Sequence, residues 1–324
     1  MTRSNPPPAR PPAGMPTPPD PHLRDQPLPW ARPKPPEEDP DAPARVQAIL
    51  ASPTYRPSDD DAAFLAMDEL RGVRLELDYT KPELHLQEHG VEHTVVVFGS
   101  TRICEPGAAA RRVADLEEAV TAAPGDADLA RQLAVARRIH DKSRYYDVAR
   151  EFGRLVGASE RRLGGRRLVV TTGGGPGIME AANRGAFDVG ADTVGFNISL
   201  PREQFPNPYV TPALCFRFHY FALRKLHFLL RAKALVAFPG GYGTFDELFE
   251  LLTLIQTRTI KPMPVILVGE HYWRGAVDFD YLVAEGVIDP EDRELFWFAE
   301  TAEEAWEGII AWHAANGEPL EVTP

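Results

Sequence analysis

The sequence contains little cysteine and no long apolar run, and both absences narrow the possible functions. Its two cysteines, Cys104 and Cys215, cannot build a disulfide framework, and neither belongs to a CxxC pair. A reducing compartment, the cytoplasm, is therefore expected. No stretch of about 18 or more apolar residues occurs, so no transmembrane span is predicted. The N-terminal basic residues are not followed by an apolar segment, so no secretory signal is expected.

Positive charge is also scarce. The chain has 35 Lys and Arg against 47 Asp and Glu, which gives a formal net charge of −12. This balance argues against general binding to nucleic acid or to an anionic membrane. An anionic small ligand would need local donors that act against the overall field. The 324 residues, 44% of them hydrophobic, suffice for one large or two small domains with a buried core.

Proline, by contrast, is abundant and concentrated near the N-terminus, where 16 of the 32 prolines lie within the first 44 residues. Such a segment has too few apolar side chains to offset its ordering entropy. Residues 1–45 are therefore predicted to form a flexible, partly polyproline II arm, and a short-motif ligand for a partner domain is the alternative. Residues 46–324 are predicted to form one domain, with helices in "ARVQAILASP" and "DDAAFLAMDELRGVRLELDY" at its start.

Five apolar runs predict buried strands, and they read "HTVVVFGSTR" (93–102), "RLVVTTGGG", "DTVGFNIS", "ALVAFPGG" and "MPVILVG" (263–269). Helix-like segments such as "GIMEAANRGAFDVG" separate them. The sequence therefore predicts an α/β, Rossmann-like doubly wound fold, with a mostly parallel sheet and helices on both faces. Residues 107–165, rich in Ala, Arg, Leu and Glu, predict an inserted helical hairpin of two helices broken near "AAPGDAD".

Two of the strands end in glycine-rich turns, at the end of the sheet where ligands bind in such folds. In "TTGGGPGIMEAAN", Gly173, Gly174 and Gly175 permit positive φ and close approach of a ligand. Gly177 opens a helix whose unpaired N–H groups favour an anion. The spacing matches neither GxGxxG nor GxxxxGK[ST]. A tight turn without a ligand is the alternative interpretation.

The turn "PGGYGT" has the same character at another strand end. Gly240, Gly241 and Gly243 can direct N–H groups inward, and the Thr244 hydroxyl can cap the next helix or hold a phosphate oxygen. Glu247 is predicted to lie in the first turn of that helix. It either faces the ligand or closes a capping box with Thr244.

Two adjacent cations, Arg224 and Lys225, lie on the amphipathic segment "HYFALRKLHFLLRAKALVAFPGG" that leads into the same strand. Cations beside phosphate-binding turns suit a phosphorylated ligand, and a solvated helix face is the alternative. His219 and His227 are expected to pack or to form hydrogen bonds. No His, Cys or carboxylate spacing resembles a zinc site, so no metal is predicted.

Together "GGGPGIMEAANRGA", the Arg-Lys pair and "PGGYGTFDELFE" resemble the Lonely Guy family. Its members are phosphoribohydrolases that cleave cytokinin riboside 5′-monophosphates and, in some branches, ordinary nucleoside monophosphates. The resemblance spans roughly 93–270 without the helical insertion, and the PGGxGTxxE motif is highly specific. "FHYFALRK" and the insertion are similar to the longer-chain branch. Phe228 stands where compact members have Met, a difference that bears on base preference.

The resemblance implies hydrolysis of the N-glycosidic bond of a nucleoside 5′-monophosphate to a free base and ribose 5-phosphate, without a cofactor. It assigns catalysis to Arg224 and Glu247. The phosphate is expected to be held by a larger set of residues: Gly174, Gly175, Gly177, Lys225, Gly240, Gly241, Gly243 and Thr244. Arg102 is a further candidate. Glu180 is expected near the base or sugar, or as a partner of the helix dipole.

The resemblance also implies a homodimer or larger homo-oligomer with the site completed across the interface. Tyr145 and Tyr146 of the insertion are candidates for additional subunit contacts. A non-catalytic nucleotide or molybdenum-cofactor carrier is the alternative function, and the presence of both Arg224 and Glu247 favours the hydrolase. Family members are often labelled lysine decarboxylases, but no lysine here follows a histidine, as the Schiff-base lysine of such enzymes commonly does.

Overall fold

Residues 33–159, 167–199 and 205–320 are described by a computed structural model. The chain divides into two compact units, the first ending at Arg71 and the second beginning at Gly72. Most of the predicted proline-rich arm lies outside the described residues. The arm and the domain boundary at residue 45 therefore stay predictions.

A seven-stranded parallel sheet lies at the centre of the second unit. Its strands are β1 (Val91–Phe98), β2 (Arg167–Thr172), β3 (Thr193–Ile198), β4 (Cys215–Phe218), β5 (Ala232–Ala237), β6 (Val265–Val268) and β7 (Trp297–Ala299). The strand order is β4-β3-β2-β1-β5-β6-β7, so the chain builds outward from β1 and then returns to its other side. This reversal puts the topological switch point between the carboxyl ends of β1 and β5, where such sheets bind ligands.

The predicted fold class is confirmed, and all five apolar runs are strands of this sheet. The sequence did not predict β4 and β7, which lie at the two edges of the sheet. They have only four and three residues, and exposed or half-buried positions interrupt their buried ones. Short edge strands of this kind lack the continuous apolar run that identifies a strand buried on both faces.

Helices cover both faces of the sheet. The first unit contains α1 (Ala42–Leu50) and α2 (Ala62–Leu65), and the chain continues with α3 (Arg71–Glu88), α4 (Pro106–Ala122), α5 (Ala127–Lys142), α6 (Arg144–Ser159), α7 (Ile178–Asp188), α8 (Phe221–Leu230), α9 (Tyr242–Gln256), α10 (Glu270–Ala276), α11 (Phe279–Ala284) and α12 (Ala302–Ala315). Helices α6, α7 and α12 pack on one face with Val95 and Val97, and α8 and α9 pack on the other with Val96 and Phe98. Over the described ranges, no helix has the length and apolar character needed to cross a membrane.

The predicted helix over "DDAAFLAMDELRGVRLELDY" is interrupted in the structure. It consists of α2, a 3-10 turn at Asp68–Leu70, and α3. The interruption lies at Met67, whose backbone is extended, with φ −62° and ψ 148°. The predicted short helix over "ARVQAILASP" is confirmed as α1.

Among the residues described between β1 and β2, which end at Ser159, there are three helices instead of the predicted two. The predicted break separates α4 from α5, and Asp126 caps α5 by accepting hydrogen bonds from the N–H groups of Asp128 and Leu129. A second break at Ser143 separates α5 from α6. Because α6 packs on the sheet, it is the crossover helix that a βαβ connection requires, and α4 and α5 form the inserted hairpin.

The prediction of subunit contacts through Tyr145 and Tyr146 is wrong. Both belong to α6, and they are only 4% and 2% exposed within their own chain. They pack in the apolar layer between the sheet and α7. Their aromatic rings stabilise the core and are not available to a second subunit.

Candidate active site

A cavity of about 540 Å³ lies at the switch point between β1 and β5. Its volume falls within the range of roughly 300–1,000 Å³ that is typical of small-molecule sites. The lining consists of the chain around the end of β1 (98–103), the turn after β5 (239–244), and side chains from α5, α7, α8, α9 and α10. Of the predicted site residues, it brings together Arg102, Arg224, Glu247 and the whole PGGYGT turn.

Arg224 on α8 and Glu247 on α9 form an ion pair in this cavity. Arg224 Nη1 donates to Glu247 Oε1 at 3.3 Å, and Arg224 Nε donates to the carbonyl oxygen of Phe196 on β3 at 2.7 Å. The guanidinium carbon lies 4.9 Å from the ring centroid of Phe228. Only 12% of the Arg224 side chain and 7% of the Glu247 side chain are exposed. The alternative interpretation, in which Arg224 lies on a solvated helix face, is therefore wrong.

Burial changes the protonation behaviour of this pair. It raises the pKa of Glu247 to about 7, although the positive charges of Arg224 and Lys225 act in the opposite direction. Burial also lowers the pKa of Arg224, against the opposing effect of Glu247. An arginine stays protonated in proteins, whereas a carboxyl group with a pKa near neutrality can take up and release protons at physiological pH. Glu247 therefore has the protonation behaviour of a general acid–base group.

The position of Glu247 differs from the predicted one. Helix α9 begins at Tyr242 with Gly241 as its N-cap, and no side chain caps this end of the helix. Glu247 therefore lies in the second turn of helix α9, and the alternative prediction that it closes a capping box with Thr244 is wrong. The Thr244 side chain instead packs against Gly240, where an added Cβ would lie 2.1 Å from Thr244 Oγ1.

The three glycines of the turn after β5 have different surroundings. Gly240 is in contact with Thr244, and its carbonyl oxygen accepts a hydrogen bond from the Tyr272 hydroxyl. Gly241 and Gly243 line the cavity, and neither has a positive φ. A Cβ on either one would meet no atom of the described chain within 4 Å. The fold does not require glycine at these two positions, whereas a ligand that approaches the backbone closely would.

The glycines of the turn after β2 are used in packing. Gly174 and Gly177 have left-handed backbones, with φ of 68° and 74°. A Cβ on Gly177 would lie 2.4 Å from the carbonyl oxygen of Ser100, which also accepts a hydrogen bond from the N–H of Ile178 at 3.2 Å. The cavity lining includes none of Gly174, Gly175 and Gly177. The structure therefore does not bring these three predicted phosphate ligands to the cavity.

Buried polar side chains hold the turn after β2. The backbone N–H of Asn207 donates to the carbonyl oxygen of Gly174 at 2.8 Å, and its side-chain amide donates to Gly175 O at 3.0 Å and Asn183 Oδ1 at 2.9 Å. The Thr172 hydroxyl donates to Asn183 Oδ1 at 2.7 Å and accepts from the Gly174 N–H at 2.9 Å. None of Thr172, Asn183 and Asn207 was predicted from the sequence to hold this turn. For Thr172 and Asn183, polar residues within the buried "TTGGG" and "MEAAN" segments were an available signal.

Two predicted charged residues are absent from the cavity lining. Lys225 Nζ lies 3.0 Å from Asp246 Oδ1 and 3.1 Å from Glu250 Oε2, so two carboxylates already balance its charge. Glu180 accepts a hydrogen bond from the Tyr146 hydroxyl at 2.8 Å and is absent from the lining. This geometry favours a structural role for both.

Within the described ranges, no three His, Cys, Asp or Glu side chains are grouped as a metal site requires. His227 is buried, and its Nε2 lies 3.1 Å from the carbonyl oxygen of Tyr79. The prediction that His227 packs and forms a hydrogen bond is confirmed.

Comparison with known proteins identifies the family. The profile of the family described as "Possible lysine decarboxylase" matches residues 179–309. The cytokinin riboside 5′-monophosphate phosphoribohydrolase LOG3 of Arabidopsis thaliana is 32% identical over 168 residues, which cover 50% of this chain and 73% of LOG3. This chain belongs to the Lonely Guy (LOG) family. LOG1 of Arabidopsis thaliana is 31% identical over 169 residues, which cover 51% of this chain and 74% of LOG1. LOG of Oryza sativa subsp. japonica is 30% identical over 166 residues, or 50% and 65% of the two chains.

Two solved structures are similar to this LOG-family chain. The X-ray structure of the structural genomics target TM1055 is 24% identical and covers 67% of this chain and 98% of that one, with a TM-score of 0.39. The Moco carrier protein from Chlamydomonas reinhardtii is 17% identical and covers 69% and 99%, with a TM-score of 0.40. At these TM-scores neither similarity bears on the activity.

The family profile matches residues 179–309 and does not include the inserted hairpin, yet α5 of the hairpin reaches the cavity. Ile139 and Lys142 on α5 line it, as does Tyr272 on α10. None of these three residues was predicted to belong to the site. Arg102, which was predicted, lines the cavity from the loop after β1 and is exposed.

Proposed function

We propose that this LOG-family chain hydrolyses the N-glycosidic bond of nucleoside 5′-monophosphates and releases a free base and ribose 5-phosphate. The buried Arg224–Glu247 pair beside the switch-point cavity carries the proposal. Relatives that bear the name cytokinin riboside 5′-monophosphate phosphoribohydrolase support it. The proposed substrates are accordingly AMP-like nucleotides, with or without an isoprenoid chain on the adenine amino group.

Glu247 is proposed to act on the sugar and the attacking water. In the reaction, the water oxygen bonds to C1′ while the C1′–N bond breaks, and the departing base takes the electron pair and a proton. Positive, oxocarbenium-like charge develops at the sugar in such reactions. A carboxylate beside C1′ would stabilise that charge or accept the proton of the water. With a pKa of about 7, a substantial fraction of Glu247 is ionised at neutral pH.

Arg224 is proposed to position Glu247 and to counter its charge. Its contacts with Phe196, Phe228 and Glu247 hold the guanidinium between β3, α8 and α9. This three-sided support suits a positioning role, because little side-chain freedom remains to be lost when substrate binds.

The phosphate is proposed to bind at the turn after β5. The backbone at Gly241 and Gly243 faces open space, and Thr244 and Arg102 line the same cavity. Backbone N–H groups at the start of α9 and a nearby guanidinium are suitable donors to phosphate oxygens. Gly240 is proposed to keep the turn in place through its contact with Thr244.

The test is base release from purified protein supplied with AMP, isopentenyl-AMP, GMP, CMP and UMP, followed by chromatography. One acid–base group typically contributes ~10²–10⁴-fold, so Glu247→Ala should lower the rate at least about 100-fold. Arg224→Ala is expected to abolish most release. Glu250→Ala, which removes a carboxylate from the same helix without touching the cavity lining, is the matched control.

A near-normal rate in Glu247→Ala would contradict the assignment of this residue. If no nucleotide releases its base while AMP still binds, the hydrolase is wrong and the carrier alternative is favoured. Base release that is lost in both cavity variants and kept in Glu250→Ala would support the proposal and rank its substrates.

A homo-oligomer is also proposed. Two large side chains at the cavity, Phe221 and Tyr242, are 52% and 96% exposed. Apolar surface of this kind at a binding site is suited to burial against a second copy of the chain. Static light scattering at micromolar concentration should report at least a dimer, and a monomer would contradict the proposal.

A further inference from the structure

The inserted hairpin contributes a cation to the cavity. We propose that Lys142 on α5 binds the 5′-phosphate of the substrate, so that the insertion completes the phosphate site. The inference deepens the proposed function and rests on it for the identity of the ligand. The matched family profile, residues 179–309, does not include Lys142.

Charge balance in the cavity is the first argument. A phosphate monoester carries about −1.5 to −2 charges at pH 7, which backbone N–H groups alone do not neutralise. Of the lining cations, Arg224 is already paired with Glu247. The neighbouring Lys225, outside the lining, is paired with the lining carboxylate Asp246 and with Glu250, so neither Glu247 nor Asp246 takes up the charge of a further cation. Among the residues that the structure describes, neither Arg102 nor Lys142 has an ion-pair partner. Two unpaired cations match the charge of one phosphate.

The packing of α5 and a hydrogen bond to its own helix hold Lys142 in position at the cavity. Leu133 and Ala136 on α5 pack against Leu116 on α4, which fixes the rotation of α5 about its axis. Lys142 is half-buried, and its Nζ donates to the carbonyl oxygen of Arg138 at 3.2 Å. An ammonium group has three donors, so two are left for phosphate oxygens. The lysine is thus anchored to its own helix with its remaining donors free for a ligand.

A lysine near the end of a helix also complements the helix dipole, and this is the competing explanation. The two explanations differ in what they predict for ligand binding. A dipole partner would affect only the stability of α5, whereas a phosphate ligand would discriminate between molecules with and without a phosphate.

The experiment measures dissociation constants of AMP, adenosine and ribose 5-phosphate by calorimetry at constant ionic strength. Lys142→Gln should weaken the binding of AMP and of ribose 5-phosphate at least about tenfold, as expected for a lost charge-assisted hydrogen bond. It should weaken the binding of adenosine less than about twofold. Lys142→Arg should restore most of the affinity. Arg138→Gln, which removes an exposed cation from the same helix outside the lining, should leave all three constants within about twofold.

An equal loss for adenosine and AMP would mean a structural effect and would overturn the inference, as would unchanged ribose 5-phosphate binding in Lys142→Gln. The base-release assay separates this inference from the proposed function. If the unmodified chain releases base and Lys142→Gln binds phosphate normally, only the inference fails. If the unmodified chain releases no base but Lys142→Gln selectively weakens the binding of AMP, only the proposed hydrolase function is wrong. Absence of AMP and ribose 5-phosphate binding in the unmodified chain would overturn both.

Discussion

The glycine-rich turns after β2 and β5 look alike in sequence, and both lead from a strand that pairs with β1 into a helix. In the first turn, Gly174 and Gly177 have left-handed backbones, and a Cβ on Gly177 would lie 2.4 Å from the Ser100 carbonyl oxygen. In the second turn, Gly241 and Gly243 have ordinary φ and face an open cavity. Backbone conformation at Gly174, and backbone conformation with packing at Gly177, therefore require glycine in the first turn. Only a ligand would require Gly241 and Gly243 in the second turn.

The glutamates that follow the two turns differ in the same way. Glu180 is bound to the hydroxyl of Tyr146 in the packing behind the site. Glu247 is buried against Arg224 at the cavity, with its pKa raised to about 7. The first turn still supports the site, since a Cβ on Gly173 would lie 2.6 Å from Arg224 Nη2. One turn shapes the space for the guanidinium, and the other presents the surface for the ligand.

The largest expected effect that would test this comparison is the stability loss of Gly177→Ala. An alanine would have to adopt φ 74° with its Cβ 2.4 Å from the Ser100 carbonyl oxygen. Backbone strain of about 1–3 kcal/mol and a similar overpacking cost should lower the free energy of unfolding by about 2–5 kcal/mol. Urea denaturation measures it. A change smaller than about 0.5 kcal/mol would show that packing does not require this glycine.

Gly243→Ala should produce the opposite pattern. An alanine fits the second residue of α9 without contact, so the free energy of unfolding should stay unchanged or rise by up to about 1 kcal/mol. The same methyl group lies where the phosphate is proposed to approach, and kcat/KM for AMP should fall about tenfold or more. Gly72→Ala, on α3 with equally open surroundings, is the control and should leave kcat/KM unchanged. Normal kcat/KM in Gly243→Ala would remove the distinction between the two turns.

The sequence predicted both glycine-rich turns, but it did not predict that they differ in role. Continuous apolar runs identified the five central strands, and the PGGxGTxxE motif with the upstream cations identified Arg224 and Glu247. The roles of the first turn could not be foreseen, because Asn207 reaches it from a distant segment and the Ser100 carbonyl meets Gly177 only after β1 and β2 are paired.

Lys142 and Lys225 show the same limit for charges. A lysine adjacent to a catalytic arginine is a natural candidate ligand, yet α9 presents Asp246 and Glu250 to it. Lys142 reaches the cavity because the hairpin packs with a particular rotation of α5, and this rotation depends on apolar contacts between α4 and α5. The local sequence pattern predicts the helix on which a lysine lies, but tertiary packing determines which residues or ligands the lysine contacts.

The smallest expected effect is a shift in the pH dependence of kcat/KM. It tests whether Glu247, which follows the second glycine-rich turn, controls the reaction through its protonation. A protonated carboxyl group cannot accept a proton, so kcat/KM should rise with pH up to about 7 and level off above it. Burial raises the pKa of Glu247, and the charges of Arg224 and Lys225 lower it. Lys225→Met removes one of the opposing charges, so the rising limb should move to higher pH, by less than about half a pH unit.

Lys233→Met is the matched control for that shift, because Lys233 bonds to Glu318 and is absent from the cavity lining. Its pH profile should coincide with that of the unmodified chain. The position of the limb is independent of the height of the plateau, so a pH-independent change in substrate affinity cannot imitate the shift in kcat/KM. A limb near pH 4–5 in the unmodified chain would mean that Glu247 titrates like an exposed carboxylate. The burial that separates Glu247 from Glu180 would then have no consequence for the chemistry.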